Sequence, residues 1–237
     1  GGRLLRTFAL DAEADVRAEA IRLGPRGSKF TLVIDESRRE VRLPLLARFN
    51  IENALAAAAV GAAGGLTIDE IAAGLDTVPQ VSGRLETLMT EPFSVLIDFA
   101  HTPDALDGAL SAVRPLTTGR LIVVFGAGGD RDVAKRRPMA QAVARAADVI
   151  VLTSDNPRTE DPERILDDLA EGLAEGAYER FADRRAAIRF ALETAEAGDT
   201  VLLAGKGHER YQELGPEAVP FDERVVVREC LEELGVA

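Results

Sequence analysis

The sequence predicts an α/β protein: a mostly parallel sheet covered by helices on both faces, preceded by a smaller part that opens with strands and closes with helices. Three observations predict it. From Ser94 onward, short apolar runs alternate with helical patterns, which is how repeated βαβ units read. Upstream, β-rich runs separated by Gly, Pro, Asp and Ser come first and helical patterns follow. Charge then marks a boundary that hydrophobicity hides. Residues 1 to 85 carry 11 basic and 11 acidic side chains, whereas residues 86 to 237 carry 17 and 29.

In chain order, Leu4 to Leu10, Ala18 to Leu23, Phe30 to Ile34 and Glu40 to Leu43 read as short strands. Asn50 or Asn53 is expected to cap a helix over Ala54 to Ala63, and Thr67-Ile68-Asp69-Glu70 has the capping-box form that starts a second helix. Pro79 to Gly83 reads as a linker. Strands are expected at Val95 to Phe99, Leu121 to Phe125, Val149 to Thr153, Tyr178 to Phe181 and Thr200 to Ala204. Helices are expected at Asp104 to Val113, Ala134 to Ala146, Pro162 to Leu173, Arg184 to Glu196 and Glu223 to Leu234.

Composition excludes several classes. Hydrophobic residues at 46% can fill a core, which argues against disorder. A net charge of -12 argues against the basic face that a nucleic-acid reader needs. The Ala- and Gly-rich run Ala54 to Leu66 has 13 residues, short of the ~20 that span a bilayer, so no membrane anchor is expected. A single cysteine, Cys230, allows neither an internal disulfide nor a cysteine-rich zinc site, and the cytoplasm is the expected compartment. Gly1-Gly2-Arg3-Leu4 shows no secretory pattern, and the start reads as cut from a longer chain.

On parallel sheets ligands bind at the carboxyl ends of the strands, and the unusual residues fall there. Only three lysines (Lys29, Lys135, Lys206), three asparagines (Asn50, Asn53, Asn156) and two histidines (His101, His208) occur. All except Lys29 lie in or beside post-strand loops or the helix start near Asn50. Gly126 to Asp132 is either an anion-facing glycine turn or a plain tight βα turn, since the third glycine of a dinucleotide fingerprint is missing. Asp155-Asn156-Pro157-Arg158 either grips a carboxylate through its guanidinium or caps a helix with a solvated Arg. Gly205-Lys206-Gly207-His208-Glu209 lacks the spacing of a phosphate-binding P-loop, and no other segment supplies one. The two histidines, taken alone, fit structural hydrogen bonding better than catalysis; no metal set is expected from them.

Taken in order, six segments resemble the Mur ligases, ATP-dependent amino-acid-adding enzymes of peptidoglycan synthesis. They are Phe49 to Ala57, Gly83 to Glu86, Asp98 to Asp104, Gly128 to Asp132, Asp155 to Arg158 and Gly205 to Glu209. The resemblance implies the last part of a central P-loop-type ATPase domain over residues 1–83, followed by a Rossmann-like, amino-acid-binding domain over 84–237. The family's UDP-sugar domain, P-loop, modified lysine and magnesium ligands have no counterpart in the chain. By itself it is therefore expected not to ligate. ATP and Mg²⁺ are implied as cofactors, with metal ligands outside these residues.

The motifs look most like those of the family member that adds meso-diaminopimelate to a UDP-muramoyl dipeptide through an acyl phosphate. The resemblance assigns Asn53 to the adenine, Arg84 and Asp98 to the nucleotide side, and His101 to a further nucleotide contact. It assigns Arg131, Asp155, Asn156, Pro157, Arg158, Gly205 and Glu209 to the diaminopimelate pocket. The chemistry is coherent: diaminopimelate differs from lysine by a second carboxylate, which Arg158 can pair, while Glu209 can take an ammonium. Small-molecule substrates alone and a monomeric state are expected. The alternatives are a folylpolyglutamate-synthetase-like or other amino-acid ligase, or a non-catalytic ligand-binding module.

Overall fold

The computed structural model describes residues 5–236, in two compact units that divide after Gln80. In the first unit, strands β1 (Phe8–Ala9), β2 (Val16–Gly24), β3 (Gly27–Ile34) and β4 (Ser37–Leu43) precede helices α1 (Arg48–Ala63) and α2 (Ile68–Asp76). The sheet runs β1-β2-β3-β4. β2, β3 and β4 form an antiparallel meander, and β1 joins β2 in parallel. Alternation along the strands sends Val16, Phe30, Leu32, Val41 and Leu43 to one side, where Ile51 and Leu55 of α1 and Ile71 and Leu75 of α2 close the core.

Two expectations are corrected here. Of the run from Leu4 to Leu10, only Phe8–Ala9 is strand, and Leu4 lies outside the described residues. Neither Asn50 nor Asn53 caps α1. The helix starts at Arg48, with Ala47 at the cap position and no side-chain cap. Asn50 has turned inward along the helix, where its Nδ2 donates to the Leu46 carbonyl at 2.7 Å and its Oδ1 accepts from Asn53 at 3.3 Å. α2 does begin with a capping box: Glu70 N donates to Thr67 Oγ1, and Thr67 N to the Glu70 carboxylate.

The second unit contains β5 (Glu86–Met89), β6 (Ser94–Asp98), α3 (Pro103–Val113), β7 (Leu121–Phe125), α4 (Arg136–Ala144), β8 (Val149–Thr153) and α5 (Pro162–Ala170). After these come β9 (Glu179–Phe181), α6 (Arg184–Thr194), β10 (Thr200–Ala204), β11 (Tyr211–Leu214), β12 (Glu217–Pro220) and α7 (Glu223–Leu234). The main sheet has the order β5-β6-β10-β7-β8-β9. Every pair among β6 to β10 is parallel, and only the edge strand β5 is antiparallel. β11 and β12 form a separate hairpin, which the apolar pattern does not announce.

One face of the sheet, with Val95, Ile97, Ile122, Val124, Val201 and Leu203, packs on α6 and α7. The alternate residues Leu96, Val123, Leu152 and Leu202 are equally buried and point the other way. The helix expected over Ala134 to Ala146 is a 3₁₀ turn, Val133–Lys135, running into α4. The chain crosses from β6 past β10 to β7, continues outward to β9, and returns to insert β10 between β6 and β7. That reversal opens a crevice at the strand carboxyl ends, where the loops of β6, β7, β8 and β10 meet.

Candidate functional site

Each wall of this crevice is built by a short loop. At the end of β6, Asp98 accepts from Leu85 N and Ala100 N, both at 2.8 Å. Burial pushes this carboxyl up, against the pull of the two backbone donors and of Arg84. The Arg84 guanidinium lies 5.1 Å from the centroid of the Phe99 ring, within cation–π range. His101 bonds through Nδ1 to the Phe99 carbonyl at 2.8 Å, which places the ring proton on that nitrogen. His101 and His208 both contact Phe99, with centroids 4.7 and 5.0 Å away.

The β7 loop settles what its glycines do. A Cβ at Gly129 would stand 1.9 Å from the Pro157 carbonyl oxygen, and Gly129 N donates to Asn156 O at 2.9 Å. These glycines let the β7 and β8 loops lie backbone against backbone. The Asp130 carboxylate takes Thr159 Oγ1 at 2.9 Å, and buried Arg136 braces the loop through Glu160 at 2.8 Å and Asp168 at 2.7 Å. Lys135, from the same loop, donates to His101 O at 3.0 Å. Burial lowers its ammonium, with Asp155 and Asp132 acting in the opposite direction.

The β8 loop is largely buried, including Asp155 and Asn156. Asn156 Oδ1 accepts from Lys206 Nζ at 2.9 Å and Glu213 N at 3.1 Å, and its Nδ2 donates to Glu209 Oε2 at 3.0 Å. Arg158, with φ 53°, donates from Nη1 to Gly129 O at 2.8 Å and pairs through Nε with Glu213 at 2.6 Å. The β11–β12 hairpin clamps this loop: Arg158 N donates to Glu213 O, Gly215 N to Arg158 O, and Gln212 Nε2 to Asp155 O at 2.7 Å. Asp155 Oδ2 is buried with no hydrogen-bond partner among the described residues. On the β10 loop, a Cβ at Gly205 would come within 2.5 Å of that same oxygen. Gly205 also has φ 118°, which L side chains rarely adopt.

Together the loops enclose a cleft of about 250 Å³. His101, Arg131, Lys135 and Arg158 line it with positive or proton-bearing groups, Asp155 and Glu209 with carboxylates, and Asn156 and Gly205 complete the wall. Burial works to raise the Glu209 carboxyl, but bonds from Lys206 and Asn156 outweigh it and hold it below the usual range. Among the described residues, no group of three or more His, Cys, Asp or Glu could hold a metal ion.

Seven of the sequence-predicted residues thus share one cleft: His101, Arg131, Asp155, Asn156, Arg158, Gly205 and Glu209. Pro157 stands behind it, its carbonyl against Gly129 and accepting from Glu160 N at 3.1 Å. Arg84 and Asp98 flank it at Phe99. Asn53 lies on α1 in the first unit, exposed. From the sequence, Lys135 stood out only as a rare residue, and Lys206 as a rare residue within the Gly205 to Glu209 segment, neither with a role in the site. The hairpin contacts of Gln212 and Glu213 left no local signal.

A mostly parallel sheet with its reversal at β10, and a two-signed polar cleft at the strand ends, is an α/β architecture with room for a small charged molecule. The comparisons make the class definite: residues 83–207 match the Mur ligase, glutamate ligase domain, and residues 2–61 the Mur ligase middle domain. The chain belongs to the Mur ligase family. UDP-N-acetylmuramoyl-L-alanyl-D-glutamate--2,6-diaminopimelate ligase of Bacillus velezensis is 44% identical over 229 residues, covering 96% of this chain and 47% of the relative. The ligase of the same name from Streptomyces coelicolor is 47% identical over 227 residues, covering 92% and 45%.

A solved structure of a ligase with that name superposes with a TM-score of 0.76 at 37% identity, covering 97% of this chain and 48% of the other. Folylpolyglutamate synthase of Mycobacterium tuberculosis shares the fold, with a TM-score of 0.64 at 24% identity over 81% of this chain and 45% of its own. The chain spans about half the length of the curated relatives it matches. No helix among the described residues is long and apolar enough to cross a membrane.

Proposed function

We propose that residues 84–237 form the amino-acid-binding domain, and residues 1–83 the last part of the ATPase domain, of an ATP-dependent ligase. The reaction adds meso-diaminopimelate to UDP-N-acetylmuramoyl-L-Ala-D-Glu in the cytoplasm, for peptidoglycan synthesis. The observation that carries the reading is the buried, unpartnered Asp155 Oδ2 in a cleft that also holds Glu209, Arg131 and Arg158. A buried acceptor without a partner costs about 1–3 kcal/mol, and a ligand ammonium would supply the missing donor. A ligand with two ammonium and two carboxylate groups matches the two-signed wall. Glutamate or lysine would leave one sign unpaired.

In this reading ATP converts the substrate carboxylate to an acyl phosphate, and the diaminopimelate amine displaces phosphate from it to form the amide. The residues of this chain orient the nucleophile. Arg158, fixed on two sides by Gly129 O and Glu213, presents its remaining donors to the carboxylate that lysine lacks. Arg131 faces the other carboxylate, while Glu209 and Asp155 take ammonium. Holding the amine in near-attack geometry replaces a bimolecular encounter by an oriented one, and the enclosing loops limit the water that would hydrolyse an acyl phosphate.

Arg84 over Phe99, with Asn53 and His101, is assigned to the nucleotide side. Both Asp98 oxygens already accept backbone donors, so Asp98 serves that side by fixing Leu85 and hence its neighbour Arg84. Mg²⁺ would accompany ATP, held by ligands other than a cluster in this chain. Isothermal calorimetry on the chain tests the amino-acid assignment. Meso-diaminopimelate is expected to bind at least about tenfold more tightly than L-lysine or L-glutamate. Equal affinities, or tighter binding of glutamate, would replace it with the folylpolyglutamate-type reading.

A further inference from the structure

Lys206 is a cation fully removed from water that never reaches the cleft wall, yet it touches two residues that do. Its Nζ donates to Asn156 Oδ1 at 2.9 Å and to Glu209 Oε2 at 3.0 Å, and the Tyr211 ring stands 5.9 Å away. An ammonium is all donor, so its contact with the Asn156 side chain admits only the amide oxygen. Glu213 N selects the same oxygen from the hairpin side. The amide NH₂ is thereby turned toward Glu209, where it donates at 3.0 Å. Lys206 and Asn156 converge on a single oxygen of Glu209, which fixes the rotamer of a carboxylate whose residue lines the cleft.

Burying a lysine is expensive unless it is paired. Spacing alone would place the pair at i and i+3 in a surface turn, where it would contribute little; here the lysine is fully buried and its partner is mostly buried.

We propose that Lys206 is a positioning residue for amino-acid recognition: a buried counter-ion that sets the amide orientation of Asn156 and holds the Glu209 carboxylate aimed at the ligand ammonium. The proposal rests on the amino-acid reading above for the identity of the ligand, but not for its effect on Glu209. Lys206 acts through Glu209, so the two side chains should be energetically coupled. Removing the cation should also let the Glu209 carboxyl climb, because burial then acts without its main counterweight. Other charged groups act on this carboxylate or share its cleft. His208 comes from its own loop, Asp155 and Arg158 from the β8 loop, Arg131 and Lys135 from the β7 loop, and His101 from the β6 loop. All of them stay in place in the variants below, so a change in titration reports Lys206.

The test is a double-mutant cycle in the 237-residue chain with meso-diaminopimelate as the calorimetric probe, read beside the ¹³C titration of the Glu209 carboxyl. Lys206→Met should weaken binding at least about tenfold at pH 7.5, and in a Glu209→Gln background the same substitution should change it less than about threefold. The Glu209 midpoint should lie below that of a free glutamate in the wild type and rise by at least about one pH unit in Lys206→Met. Additive effects in the cycle, or an unmoved midpoint, would show that Lys206 only fills the core. If Lys206→Met does not fold, Lys206→Gln keeps a donor for Asn156 without the charge, and its Glu209 midpoint must show the same rise. If neither folds, a wild-type midpoint at or above that of free glutamate overturns the proposal, and a lower one supports it. Should the wild type fail to bind diaminopimelate, the amino-acid reading falls. The Glu209 titration still decides what Lys206 does.

Discussion

In the proposed reading Arg158 carries the choice of amino acid, and its surroundings say how. One guanidinium nitrogen is spent on Gly129 O and another on Glu213, so the group is oriented before ligand arrives and loses little freedom on binding. In Arg158→Ala the second carboxylate of diaminopimelate is left without its partner, and the cation that repels a lysine ammonium is gone. The ratio of diaminopimelate to lysine affinities should shrink by roughly 10- to 1,000-fold, equivalent to about 1.4 to 4 kcal/mol. Calorimetry with both amino acids on both proteins measures it, and an unchanged ratio would remove Arg158 from the site.

A second residue governs stability instead. Asp199, nearly buried, accepts from Arg120 N at 2.7 Å, Arg120 Nη2 at 2.7 Å and Glu196 N at 3.0 Å. Burial works to raise its carboxyl, but the Glu196 and Arg120 backbone donors and the Arg120 guanidinium prevail and hold it below the ordinary value. A depressed folded-state pKa means the stabilisation is complete above the unfolded-state value, about 3.9. It is lost as pH falls through the lower, folded value. Asp199→Asn should therefore cost about 1–3 kcal/mol near neutrality, with the gap from wild type closing as pH drops below about 4. Urea midpoints across that range check both the size and the sign.

At the scale of elements, the cleft depends on a tie beneath it. Arg184 opens α6 and Glu223 opens α7, both fully buried and paired at 2.7 Å. Arg184 also donates to Ser154 O at 3.2 Å and Ala204 O at 3.0 Å, next to the ends of β8 and β10. One guanidinium thus joins two helix starts to the two strands whose loops carry most of the site. Arg184→Met leaves Glu223 as an uncompensated buried charge, and should cost about 3–5 kcal/mol in chemical denaturation. Replacing Glu223 by Met as well should recover much of the loss, since a well-packed apolar pair avoids desolvating two ions. A double variant as unstable as the single one would mean that the backbone bonds of Arg184, and not its charge, hold the strand ends.

Across the whole molecule, the reversal of strand order at β10 brings loops more than a hundred residues apart into one crevice. The chain has a two-signed polar cleft, but no segment with the glycine, lysine and Ser/Thr spacing that grips ATP phosphates. These 237 residues alone should neither hydrolyse ATP in response to diaminopimelate and UDP-muramoyl dipeptide nor form an amide from them. Phosphate release and product analysis on the purified chain check this. Turnover would mean that phosphate binding is achieved by some other arrangement of these residues.

The alternation of strand and helix from Ser94, the capping box at Thr67, and the four loops in which the rare residues gather are all legible in the sequence. Those features are local: apolar period, capping chemistry and composition act over a few neighbours. The sequence did not locate the start of α1, because Asn50 and Asn53 had equal chemical claims to a cap, while packing of Ile51 and Leu55 placed both inside the helix, in its first and second turns. Only the tertiary structure decided that the Gly128-Gly129 step serves loop-on-loop contact, that the β11–β12 hairpin clamps Asn156 and Arg158, and that Lys206 points into the core at Glu209. Each of these joins groups distant in sequence, or turns on which side of a loop is buried. No period or motif encodes such a choice; it follows from the order in which the strands pair.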